Sequence, residues 1–69
     1  MPPTPRQIDA LRACLTADCD KAAAANLGMS YVALRSLLHR LYRDLGVAHK
    51  AQAVAALDDR TPGWRAVAA

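Results

Sequence analysis

The segment Leu27-Gly28-Met29-Ser30-Tyr31-Val32-Ala33-Leu34-Arg35-Ser36-Leu37-Leu38-His39-Arg40-Leu41-Tyr42-Arg43-Asp44-Leu45 opens with a break and continues as a helix. Glycine tolerates the left-handed conformation in which many helices end, so Gly28 marks a stop. Ser30 offers its hydroxyl to the first free amides of a new helix, which therefore starts at Tyr31. At 100° per residue Leu37, Leu38, Leu41 and Leu45 lie within about 60° of Leu34, a continuous apolar face. The opposite arc collects Val32, Arg35, Ser36, His39, Arg40 and Arg43. One side of this helix is made for burial and the other for water or a polyanion.

Working outward towards the N-terminus, residues 20–27 are dominated by alanine, with high helix propensity and side chains small enough to let a neighbour approach closely. Two helices separated by a short glycine-centred break form the sequence outline of a helix-turn-helix. Before them, Asp18-Cys19-Asp20 favours a turn, and either aspartate suits a cap. Thr4-Pro5-Arg6-Gln7 reads as a further helix start: Thr4 caps, Pro5 suits the first helical position and Gln7 completes a capping box. Ile8, Leu11, Cys14 and Leu15 then give one buried stripe over residues 5–16.

Towards the C-terminus Gly46-Val47 closes the long helix, and Ala51 to Leu57 makes a fourth, rich in small residues. Asp58 to Pro62 breaks the pattern, leaving residues 58–69 as a tail in which Trp64 clamps a small core. The expectation is an all-α domain over residues 1–57, with helices at 5–16, 20–27, 31–45 and 51–57. No internal repeat and no useful run of strand-like alternation competes with it.

The composition agrees with a small binding module. The chain has 69 residues, 16 of them alanine, with no Phe and no Glu. So short a chain has little surface to spare for an enzyme cleft. No serine stands with both a histidine and an aspartate at a suggestive spacing, so no enzyme is expected. The formal charge of +3 is unevenly spread. Residues 1–20 carry Arg6 and Arg12 against Asp9, Asp18 and Asp20, a net −1, and residues 58–69 cancel. Residues 21–57 carry Lys21, Arg35, Arg40, Arg43 and Lys50 against Asp44, a net +4. The middle of the chain suits a polyanion.

Cys14 and Cys19 have no second pair and no histidine at metal-ligand spacing, so neither a structural zinc nor any cofactor is expected. They read as a small core residue and a turn residue, reduced in a cytoplasmic protein. No stretch reaches the roughly 18 apolar residues of a membrane span, and the N-terminus lacks the pattern of a signal peptide.

Four blocks in register, Thr4-Pro5-Arg6-Gln7, Leu27-Gly28-Met29-Ser30, Leu45-Gly46-Val47 and Ala51-Gln52-Ala53-Val54, resemble the LuxR/GerE-type helix-turn-helix domain. The resemblance spans about Thr4 to Ala55. Helix two departs from the family's Lys-Glu-Ile-Ala with Lys21-Ala22-Ala23-Ala24, and helix three keeps the basic residue of Thr-Val-Lys-x-His as Arg35 while losing the threonine and histidine. Residues 33–40 also look like the recognition helix of sigma-factor region 4.

The resemblance implies a four-helix bundle and a stand-alone, dimeric DNA-binding transcription regulator. Helix three would enter the major groove with Val32, Arg35, Ser36 and His39 at the base edges, arginine being the commonest reader of guanine. Lys21, Ser30, Arg40, Arg43 and Lys50 would hold phosphates. Family members commonly pair through the fourth helix, which makes Ala51, Val54, Ala55 and Leu57 candidates for a symmetric contact. The alternative for these four is internal packing against Ile8 and Leu11. Tyr31 and Tyr42, at the border of the leucine face, are expected to pack rather than stack on bases. An alternative function is a protein-interaction module that binds a homologous regulator or an RNA polymerase subunit.

Overall fold

The computed structural model describes residues 3–66, folded as four α-helices with no strand among them. They are α1 (Pro5–Thr16), α2 (Asp20–Asn26), α3 (Tyr31–Leu45) and α4 (Lys50–Arg60). The all-α expectation holds, and the first and third helices have the expected bounds. No described helix is long and apolar enough to cross a membrane.

The helix ends follow local chemistry. At α1 the Gln7 amide donates to Thr4 Oγ1 at 3.2 Å while the Thr4 amide donates to Gln7 Oε1 at 2.9 Å, a complete capping box. At α3 Ser30 Oγ accepts from the Ala33 amide at 3.1 Å. Helices α2 and α3 end by one device. Gly28 and Gly46 adopt φ of +68° and +72°, turning the chain so that the Met29 and Val47 amides donate back to the Ala24 and Tyr42 carbonyls. Leu27 is therefore the cap of α2 rather than its last helical residue.

Helix α3 is central, packed against each of the other three, and α1 also packs on α2. Leu34 and Leu41 are fully buried and Leu38 and Leu45 nearly so, while Leu37 is only half-buried at the edge of the stripe. Opposite them lie Leu11, Leu57 and the alanines Ala10, Ala23 and Ala53, all with no exposed surface. Alanine at these contacts lets helix axes approach closely, which is how a chain without phenylalanine still excludes water.

The C-terminal boundary is corrected. Helix α4 runs three residues past 57, and residues 58–66 belong to the fold. Trp64 is 1% exposed and its Nε1–H donates to Asp58 Oδ1 at 2.8 Å. Arg60 Nη1 donates to the Leu45 carbonyl at 3.2 Å, capping α3 from the end of α4. The helix stops at Thr61, where a following proline disfavours helical dihedrals. The rest of the expected tail, residues 67–69, lies outside the described residues.

One polar group from each helix meets at a single junction. Lys50 Nζ on α4 lies 3.1 Å from Asp20 Oδ1 on α2. The Cys14 thiol on α1 and the Tyr42 hydroxyl on α3 feel the charges of both. Burial, reinforced by the Asp20 charge and opposed by Lys50, pushes the Cys14 pKa up from 9.0 to about 11. Burial also raises the Tyr42 pKa against the pull of Lys50. Burial alone would lower the Lys50 pKa, but hydrogen bonding and attraction to Asp20 raise it.

Candidate nucleic-acid interface

The outer face of α3 carries the residues expected at base edges. Val32, Arg35, Ser36 and His39 are all exposed, Val32 to 72%, because the leucine stripe that anchors the helix turns this arc outward. Arg40 and Arg43 extend it and are exposed as well. Among the described residues no carboxylate lies within ion-pair distance of Arg35, Arg40 or Arg43. This face keeps its charge uncompensated.

Two aromatic side chains shape it in a way the composition did not reveal. The Arg35 guanidinium lies 5.7 Å from the centre of the Tyr31 ring, one helical turn earlier, within cation–π range. The His39 and Tyr42 rings are 6.5 Å apart and tilted by 47°. Tyr31, Arg35, His39 and Tyr42, with Leu38 and Asp20, line a shallow pocket of about 290 Å³ beside the helix. The i,i+4 spacing of Tyr31 and Arg35 and the i,i+3 spacing of His39 and Tyr42 were the available signals. Asp20 could not be found that way, since it comes from another helix.

The expected phosphate contacts gather near helix starts. Lys21 and Ser30 are exposed at the beginnings of α2 and α3, where free amides and the helix dipole favour an anion. Lys50 is different. It stands at the first position of α4, where the dipole disfavours a cation, and is held by Asp20, so its charge is already compensated inside the chain. Among the residues expected at phosphates, Lys50 is the one with a carboxylate partner among the described residues.

The residues expected at a symmetric contact separate by face. Ala51 and Ala55 are exposed and Val54 is half-buried, but Leu57 is fully buried in the core and has no surface to offer a second copy. A helix of 3.6 residues per turn puts Leu57 on the side of Ala53, which is also buried. Helix α4 packs chiefly on α3, and the internal alternative applies to Leu57.

No family model, no curated protein and no solved structure matches this chain.

Proposed function

We propose that this chain is a small helix-turn-helix DNA-binding transcription regulator that presents α3 to the major groove. The observation carrying this reading is the outer face of α3: six exposed positions, three of them arginines with no acidic partner among the described residues, on the helix that follows the glycine turn. A 15-residue helix with bare cations on one side and a buried leucine stripe on the other can enter a groove without exposing its core. Arg35, steadied by Tyr31, reads guanine, Ser36 and His39 make adjustable contacts, and Val32 meets a thymine methyl group. Arg40, Arg43, Lys21 and the start of α3 at Ser30 hold phosphates.

In this reading two copies associate through Ala51, Val54 and Ala55 to span two half-sites. The bundle is of the LuxR/GerE type, with sigma-factor region 4 as the nearest alternative, and the unpaired thiols fit a reducing cytoplasm. No catalytic role is assigned. The test is selection of bound sequences from random duplex DNA at two salt concentrations, followed by variants. Arg35→Ala should weaken the selected sequence more than others, whereas Arg43→Ala should weaken all DNA alike and reduce the salt slope by about 1. Failure to retain any duplex at low salt overturns the proposal.

A further inference from the structure

A second arginine-bearing surface lies away from α3. The outward side of α1, the end of α2 and the C-terminal turn enclose an open groove of about 690 Å³, to which α3 contributes no lining residue. Arg6, Arg12 and Arg65 line it against Asp9, and Asp58 pairs with Arg65 beside it, so one positive charge is left over. Leu15, expected in the buried stripe of α1 but 42% exposed, and the half-buried Leu27 line it as well.

Two of these cations have carboxylate partners. Arg12 Nη1 lies 3.5 Å from Asp9 Oδ1. Arg65 Nη2 lies 3.2 Å from Asp58 Oδ2, and its guanidinium sits 5.1 Å from the centre of the buried Trp64 ring. The Arg65 guanidinium has five N–H donors, so its one bonded carboxylate leaves others to offer. Guanidinium forks match incoming carboxylates in direction as well as charge.

The geometry points to a docking surface for an acidic amphipathic helix of another protein, with an apolar side chain seated on Leu15 and Leu27 and carboxylates on Arg6, Arg12 and Arg65. Charge complementarity sets the sign of the partner. The leucines set its class, because an apolar lining gives a nucleic-acid backbone nothing to bind, whereas it rewards a buried aliphatic anchor. The proposal is independent of DNA reading by α3.

The probe is an 18-residue peptide of leucine and glutamate patterned as an amphipathic helix, titrated into the ¹⁵N-labelled full chain, with a lysine-for-glutamate peptide as control. The glutamate peptide should shift the amides of Leu15, Leu27 and Arg65. Its affinity should fall about tenfold or more in the Leu15→Asp variant and in the Arg6→Glu, Arg65→Glu double variant. All three substitutions are at exposed positions, and thermal unfolding verifies that the variants fold. Their retention of duplexes through α3 should be unchanged. Four outcomes overturn the proposal: equal binding of the lysine peptide, shifts confined to α3, groove shifts caused by a 20-base-pair duplex instead of the peptide, or self-association that Leu15→Asp abolishes.

Discussion

The outer face of α3 and the groove beside α1 are both arginine-bearing, yet they are built in opposite ways. Among the described residues the arginines of α3 have no carboxylate within reach, and the large apolar side chain at the centre of the arc is Val32. In the groove Arg12 and Arg65 are each paired with an aspartate, and two leucines are among the lining residues. Cations without an acidic partner suit a backbone of repeated phosphates, where charge matters more than direction. Paired cations beside apolar surface suit a partner with its own shape. Net charge cannot distinguish these cases, and the pairing of each cation can.

The most severe way to break the comparison is to remove the support of one surface. Trp64→Ala should cost about 3–5 kcal/mol, the usual cost of deleting a large buried aromatic, and would leave Arg65 without its platform. Urea denaturation measures the stability, and a change below about 1 kcal/mol would show that Trp64 is not part of the core.

Charge reversal on α3 sharpens the comparison without touching the core. Arg40→Glu with Arg43→Glu should lower duplex affinity at low salt by about 100-fold or more, roughly 2.7 kcal/mol, because attraction becomes repulsion at two phosphates. Binding of the acidic peptide to the groove should be unaffected. Equal loss in both assays would mean that the two surfaces act as one.

Asp20→Ala examines the junction beneath α3. The Lys50–Asp20 pair is about one-third exposed, so a loss of about 0.5–1 kcal/mol is expected from calorimetric unfolding at pH 7. Released from Asp20, Lys50 should add to the salt slope of duplex binding. An unchanged slope would mean that Lys50 is remote from the nucleic acid.

The smallest effect is in pH dependence. The folded chain holds the Cys14 proton more tightly than an unfolded chain does, with a pKa near 11 against 9.0. That contribution is fully present below about pH 9 and is lost as pH rises through 11. The raised Tyr42 pKa acts in the same direction. Thermal midpoints should therefore fall between pH 9 and 11, less steeply in Cys14→Ala. At pH 8 a thiol reagent should label exposed Cys19 first and buried Cys14 only on unfolding. Equal labelling rates would contradict the burial.

Much of the fold was legible because its signals are local. Thr4 with Gln7, Ser30 with Ala33, and the glycines at 28 and 46 act within one or two turns, and the leucine period of α3 sets its buried side. The candidate interface was legible for the same reason, since six outward residues on one helix follow from a single period. Leu57 was left open between a symmetric contact and the core because a short helix rich in alanine has no strong period to tell inside from outside. Residues 58–66 were placed in a tail because the indole of Trp64 finds its partner through Asp58, across the turn made by Pro62 and Gly63.

The sequence by itself determined that the chain is all-α, where most helices start and stop, and which arc of α3 faces outward. These depend on backbone capping and periodicity, which act over a few residues. Only the tertiary structure decided that Gln7 Nε2 reaches Asp44 Oδ2 at 3.2 Å across 37 positions, and that Asp20 captures Lys50 across 30. It alone gathers Arg6, Arg12 and Arg65 around two leucines. Such pairings depend on how helices cross, and crossing is set by the packing of all four helices together rather than by any one segment.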